Sequence, residues 1–143
     1  MSQLVSNKHM IRFASLNART LSPAGEAELL AAELAEAGVA VCGIQEARLR
    51  GHGRRSLTAA EGQPDGQAPA GWTLLWSGGT QRRNGVAALL SPAASRAVVS
   101  WNAVSDRLLS ITLAGTVTAT VLVGYAPTNP SPLPAKDAFY RQL

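Results

Sequence analysis

Three polar residues each stand where a predicted strand ends, and together their side chains could bind a phosphate group and a metal ion. Glu46 closes the apolar run of residues 39–46, a pattern typical of a strand buried on both faces. Asn17 follows the predicted strand 11–16, and Tyr125 follows the predicted strand 116–124. If these strands align, the three side chains gather at one rim of a sheet.

The chemistry of the three side chains is compatible with such a site. Glu46 offers carboxylate oxygens, which hard divalent cations such as Mg2+ or Mn2+ prefer. Asn17 could orient a water or a phosphate oxygen, and Tyr125 could donate a hydrogen bond to a phosphate. Each residue also has a plainer interpretation: Glu46 as a solvated charge, Asn17 as a turn residue, and Tyr125 as an aromatic at the edge of the core.

The first elements that must position these residues are a strand, a helix and a strand. Ser22 and Pro23 predict a helix start, and Gly38 predicts its end. Residues 11–46 therefore predict two parallel strands joined by a crossover helix.

The rest of the chain predicts antiparallel strands. We expect residues 48–67 to form a loop and a final helix to begin at Lys136, and we expect strands at residues 72–76, 86–90, 97–101, 107–113 and 116–124. The predicted class is α/β (α+β) with a mixed, largely antiparallel sheet. Residues 1–10 are predicted to be a flexible tail, and residues 11–143 one domain.

Composition limits the function classes. The chain has 143 residues and a net charge of +4, and 11 of its 13 basic residues are arginine. Arginine suits phosphate and nucleic acid, because the guanidinium fork matches phosphate oxygens. The single Cys42 excludes an internal disulfide and a cysteine-based zinc site, and it fits a reducing compartment. No apolar stretch reaches membrane-spanning length, so no membrane partner is expected.

The arginines cluster in two segments around the predicted rim. As a group they predict contacts with the phosphate backbone of DNA rather than with its bases, whereas any one of them could be a solvated surface charge. The predicted nucleic-acid-binding residues are Arg48, Arg50, Arg54, Arg55, Arg82 and Arg83.

Six short segments stand in an order that resembles one enzyme family. They are residues 14–20 (Ala-Ser-Leu-Asn-Ala-Arg-Thr), 44–48 (Ile-Gln-Glu-Ala-Arg), 71–79 (Gly-Trp-Thr-Leu-Leu-Trp-Ser-Gly-Gly), 84–87 (Asn-Gly-Val-Ala), 104–107 (Val-Ser-Asp-Arg) and 123–128 (Val-Gly-Tyr-Ala-Pro-Thr). Together they resemble the N-terminal part of the endonuclease/exonuclease/phosphatase family. The similarity is greatest to endonuclease domains of non-LTR (LINE-like) retrotransposons and to craniofacial development protein 2-like proteins.

This resemblance implies a fold and a site. It implies the N-terminal half of a four-layered α/β sandwich, cleavage of phosphodiesters, and Mg2+ or Mn2+ as cofactor. Glu46 matches the metal-binding glutamate, Asn17 the asparagine that helps place phosphate and metal-bound water, and Tyr125 the tyrosine at the scissile phosphate. The family's later Gly-Asp-Phe-Asn and Ser-Asp-His motifs do not occur in this sequence.

The resemblance therefore predicts a fragment of a metal-dependent phosphodiesterase, and the main expectation is a retrotransposon-type DNA endonuclease. We expect the 143-residue chain to be inactive. The alternatives are a non-catalytic nucleic-acid-binding remnant and a phosphatase-like protein acting on small phosphate esters. The implied partners are DNA, the missing C-terminal half of the domain, and a reverse transcriptase domain in a longer parent protein. The resemblance to retroelements also implies that the protein acts in the nucleus. Without that half, we expect exposed apolar surface at residues 86–90 and 121–123.

Overall fold

The structure, a computed structural model, describes residues 10–58, 70–128 and 130–143. The predicted tail, apart from Met10, lies outside the described residues. Within the described residues the elements are β1 (Phe13–Asn17), α1 (Glu26–Glu36), β2 (Val41–Gln45), β3 (His52–Ser56), β4 (Thr73–Ser77), β5 (Val86–Leu90), α2 (Pro92–Ala97), β6 (Val98–Ser105), β7 (Leu108–Leu113), β8 (Ala119–Gly124) and α3 (Leu133–Gln142).

The strands form two sheets. Sheet 1 has five strands in the order β1-β2-β5-β4-β3, and sheet 2 has three strands in the order β6-β7-β8. β1 and β2 are parallel, as predicted, and every other neighbouring pair is antiparallel. The predicted α+β class with mixed, largely antiparallel sheets is confirmed.

The helix between β1 and β2 begins later than predicted. Its N-cap is Gly25, in the left-handed conformation with φ 89°, rather than Ser22. The prediction was wrong because residues 23–25 form a turn before the helix, and the Ser22 hydroxyl instead accepts a hydrogen bond from Arg82 at 2.6 Å. The predicted stop at Gly38 is confirmed: φ is 70°, and Val39 N–H bonds back to the Leu34 carbonyl at 2.9 Å.

Two apolar clusters cover the two faces of sheet 1. α1 packs on one face of sheet 1 through Ala27, Ala31 and Leu34, and sheet 2 packs on the other face. The expectation that residues 86–90 leave apolar surface exposed is wrong, because β5 is central in sheet 1 and is covered on both faces. In β8, Val123 is also buried, whereas Leu122 points away from sheet 1 and is exposed.

The last helix, α3, has one buried residue: Phe139 lies next to Gly124 at the end of β8. The other residues of α3 are mostly exposed. In the described part of the chain, no helix is long and apolar enough to cross a membrane.

In the segments around the sheets, one further sequence prediction was wrong and one short helix was not predicted. Residues 48–67 were predicted to be a loop, but His52–Ser56 form the edge strand β3; residues 59–69 lie outside the described range. β3 has little apolar alternation because it is mostly exposed and is held by backbone pairing with β4. Ser91 and Pro92 end β5 and also begin α2, whose first turn is capped by the Ser91 hydroxyl.

Candidate functional site

The site lies at one end of both sheets, where several strands stop. Parallel β1 and β2 end side by side at Asn17 and Gln45, and antiparallel β5 starts there at Val86. On sheet 2, β8 ends at Gly124 and the β6–β7 turn lies beside it. The Ser77 hydroxyl donates to the Ser105 carbonyl at 2.5 Å and fastens the two sheets together at this end. We call this end the site rim.

Glu46 occupies the turn that leaves β2. Its φ is 52°, in the left-handed region that residues other than glycine adopt rarely and that often marks a functional position. Two backbone bonds hold the turn, from Ala47 N–H to the Gly85 carbonyl at 3.0 Å and from Arg48 N–H to the Asn84 carbonyl at 2.9 Å. The Glu46 side chain is 22% exposed and lines a cavity at the rim.

The structure brings the three predicted residues together on one oxygen atom. The Asn17 amide and the Tyr125 hydroxyl each donate a hydrogen bond to Glu46 Oε1, both at 3.1 Å. Asn17 Oδ1 accepts from the Arg19 backbone N–H at 3.0 Å, which fixes the orientation of the amide. The gathering of these side chains is thus observed, and their roles in metal binding and cleavage stay predictions.

These contacts set the charge states of Glu46 and Tyr125. The hydrogen bond from Asn17, followed by that from Tyr125, lowers the pKa of Glu46 against a smaller opposing effect of burial, and Arg48 lowers it further. Burial, followed by the hydrogen bond and the charge of Glu46, raises the pKa of Tyr125. At neutral pH the pair is therefore a carboxylate that accepts and a phenol that donates.

Beside Glu46 lies an open cavity of about 460 Å3 with a basic wall. The Glu46 carboxylate faces four guanidinium groups there, so the cavity carries excess positive charge. Arg48 Nη2 lies 3.4 Å from Glu46 Oε2, a long contact that leaves most of this oxygen free. The cavity is lined by Glu46, Arg48, Arg82, Arg83, Asn84, Arg107 and Tyr125.

Three predicted DNA-binding arginines do not line this cavity. Arg54 and Arg55 lie on β3 rather than on a rim loop, and they pair across the ladder with Leu75 and Leu74. Arg55 forms an ion pair with Glu28 of α1 at 2.6 Å. Arg50 is exposed, and its carbonyl accepts from the Trp76 indole. Arg48, Arg82 and Arg83 do lie at the cavity.

Three residues at the rim had no role predicted from the sequence, although segments 84–87 and 104–107 of the family resemblance contain them. Asn84 is left-handed, with φ 46°, and its amide donates to Asp106 Oδ2 at 3.0 Å. Arg107 lies with its guanidinium over the Tyr125 ring. The Asn84-Gly85 pair is a turn signal that could have drawn attention. Apart from that resemblance, nothing local in the sequence assigns a role to Asp106 or Arg107, because their partners are distant in the chain.

The residues at the rim fit a divalent cation only in part. Mg2+ commonly takes one or two carboxylates, several waters and phosphate oxygens of the substrate. Glu46 could be such a ligand through Oε2. Asn17 directs its NH2 group, which is a hydrogen-bond donor and not a metal ligand, at Glu46. Among residues 10–58, 70–128 and 130–143 there is no group of three or more His, Cys, Asp or Glu side chains that could hold a metal. Any cation here would depend on water and bound phosphate for its remaining ligands.

Neither a scan of the sequence against protein-family models nor a search of curated proteins finds a match to this chain.

Proposed function

We propose that this chain carries part of a metal-dependent phosphodiesterase site that binds the phosphate backbone of DNA. The proposed relationship is to the endonuclease/exonuclease/phosphatase family, and within it to retrotransposon-type endonucleases. The observation that carries the proposal is the convergence of Asn17 and Tyr125 on Glu46 Oε1 beside the arginine-lined cavity.

The charge pattern of the cavity favours a phosphate diester as ligand. Arg48, Arg82 and Arg83 can neutralise phosphate oxygens, and guanidinium groups do this with paired hydrogen bonds. The Tyr125 hydroxyl lies at the same place, with its one proton donated to Glu46 Oε1. The cavity is open, so it can take one stretch of an extended polyanion.

Hydrolysis of a phosphodiester requires catalytic groups that these residues do not supply. A bound divalent cation would stabilise charge on the phosphate and generate an activated water. The described residues that line the cavity provide one carboxylate and no histidine for that task. We therefore expect this chain to bind DNA and divalent cations weakly, and not to nick supercoiled plasmid.

The test of DNA binding compares two double variants with equal loss of charge. Arg82→Ala/Arg83→Ala removes two cavity arginines, whereas Arg54→Ala/Arg96→Ala removes two exposed arginines elsewhere. Affinity for a short duplex should fall with salt, and the cavity variant should reduce the log–log salt slope by about two. Unrelated duplex sequences should be affected equally. Equal slopes in both variants would remove the cavity from the DNA-binding surface.

The cation is tested separately with Mn2+, followed by electron paramagnetic resonance in the presence of the duplex. Glu46→Gln should abolish the bound Mn2+ signal, because the described part of the cavity has no other carboxylate. Glu36→Gln, an exposed change on α1, is the matched control. Mn2+ binding that survives Glu46→Gln would contradict the proposed metal ligand.

A non-catalytic nucleic-acid-binding module is the second candidate. It is favoured by the excess of guanidinium groups over carboxylates at the cavity, which permits phosphate binding without a metal. The two candidates differ in their response to a chelator. A metal-assisted site loses affinity for the duplex in EDTA, and a purely basic site keeps it.

A further inference from the structure

Arg107 makes three separate contacts with Tyr125. Tyr125 N–H donates to the Arg107 carbonyl at 2.9 Å, and Arg107 Nη1 donates to the Tyr125 carbonyl at 3.1 Å. The Arg107 guanidinium also lies over the Tyr125 ring, 5.3 Å from its centroid. One residue therefore holds both the backbone and the ring of Tyr125.

These contacts matter because Tyr125 lies just beyond the end of β8. The last ladder pair of sheet 2 joins Leu108 and Gly124, so pairing within the strands ends one residue before Tyr125. The bond from Tyr125 N–H to the Arg107 carbonyl extends this pairing by one residue, and the bond from Arg107 Nη1 holds the Tyr125 carbonyl. They direct the Tyr125 ring across the gap between the sheets, to Glu46 on sheet 1.

Arg107 is itself held from sheet 1. The β6–β7 turn that carries it is fastened at its two preceding residues. The Ser105 carbonyl accepts from the Ser77 hydroxyl, and the Asp106 carbonyl accepts from Gly85 N–H at 2.9 Å. The Asp106 carboxylate accepts from Asn84 as well. The backbone from which the Arg107 side chain extends is therefore fixed relative to sheet 1, which limits the positions that Arg107 can give to Tyr125.

We propose that Arg107 is a positioning residue, which fixes the Tyr125 hydroxyl on Glu46 at the phosphate site. The assignment deepens the proposed function and rests on it for the statement that the Tyr125 hydroxyl acts at a phosphate site. The geometric claim itself can be tested without DNA. Arg107 acts through Tyr125, and its role differs from the general phosphate attraction expected of Arg82 and Arg83.

The test is an alkaline titration of the Tyr125 phenol in the ultraviolet. The chain has two tyrosines, so a Tyr140→Phe background leaves Tyr125 as the only phenol. The two roles open to Arg107 predict opposite shifts. If Arg107 positions Tyr125, Arg107→Ala frees the phenol from Glu46 and from its partly buried place, and the pKa falls. If Arg107 is merely a nearby positive charge, its removal raises the pKa.

Arg107→Lys separates geometry from charge. It keeps the positive charge and loses the planar fork that reaches the Tyr125 carbonyl. A positioning role predicts a lower pKa of Tyr125 in this variant too, whereas a charge-only role leaves it unchanged. Circular dichroism across the titrated range confirms that each variant is folded, and the lysine variant carries the test if the alanine variant is unfolded.

Duplex binding by the same variants distinguishes this inference from the proposed function. A fall in the pKa of Tyr125 with no DNA binding by any variant or by the parent chain supports the positioning and refutes the function. DNA binding by the parent with a raised or unchanged pKa in Arg107→Ala refutes the positioning and leaves the function standing.

Discussion

At the scale of single residues, the site depends on one carboxylate oxygen shared by two donors. Asn17 and Tyr125 come from different sheets, and both donate to Glu46 Oε1. This leaves Oε2 directed towards the arginine wall. The arrangement keeps Glu46 ionised, which a metal ligand requires, and keeps the Tyr125 phenol protonated, which a hydrogen-bond donor requires.

Asn17→Ala should raise the pKa of Glu46 towards its ordinary range, because the Asn17 hydrogen bond is the largest cause that lowers it. The carboxylate then takes up its proton at a higher pH, and any Mn2+ binding is lost at a correspondingly higher pH. The stabilising effect of the ionised Glu46, present above its unfolded pKa and lost on acidification, is reduced. Carboxyl 13C NMR of Glu46 measures the shift.

The matched control for Asn17→Ala is Ser15→Ala. Ser15 lies on the same strand, and its hydroxyl bonds to the side chain of Gln45 rather than to Glu46. The pKa of Glu46 should be unchanged in this variant. An unchanged pKa in Asn17→Ala as well would mean that the amide has no influence on the carboxylate.

Asn17, Glu46 and Tyr125 could be placed at one rim from the sequence because each directly follows or ends a strand with a clear apolar pattern. The contact of Arg107 with Tyr125 could not be predicted, because the two residues lie 18 positions apart in the chain. The cavity arginines could not be separated from Arg55 either, because the partner of Arg55 is on α1, 27 residues earlier. Contacts made by tertiary structure have no local signal.

At the scale of elements, the site depends on close packing of β2 against β8. A Cβ atom built on Gly43 would lie 3.2 Å from a methyl group of Val123, tighter than normal contact. Glycine at this position lets the two strands approach. Glu46 follows β2 and Tyr125 follows β8, so this contact sets the distance between the two halves of the site.

Gly43→Val should therefore destabilise the fold by about 1–3 kcal/mol through overpacking. The Gly43→Val/Val123→Ala double variant should recover part of that loss, because the smaller side chain makes room. Urea unfolding of the wild type, both single variants and the double variant gives the coupling energy. Strictly additive effects would mean that the two residues do not meet.

Most strands could be predicted from apolar pattern, and β5 is found at the predicted bounds. The misses have physical causes. β3 is an exposed edge strand whose sequence is polar, and the residues before α1 form a turn that displaces the expected cap. α2 is a short helix begun by the same Ser91-Pro92 pair that ends β5. In each case tertiary contacts or turn geometry decided what the local pattern left open.

At the scale of the whole molecule, one side of the sandwich exposes apolar groups. In the described residues β1 is an edge of sheet 1, and Ile11 and Phe13 are 58% and 55% exposed. They line an apolar cavity of about 410 Å3, which Val117, between β7 and β8, also lines. Exposed edges with apolar side chains favour association between chains.

We expect the 143-residue chain to self-associate as its concentration rises. Pairing of β1 with another chain would cover the unpaired N–H and C=O groups of this edge strand and also the side chains of Ile11 and Phe13. Ile11→Lys/Phe13→Lys should shift it towards monomer, since charge on an edge strand opposes pairing. Leu133→Lys/Tyr140→Lys, two exposed apolar residues on α3, is the control and should leave association unchanged. Sedimentation velocity over a range of concentrations measures the outcome. A wild-type chain that stays monomeric throughout would show that the apolar edge does not drive association.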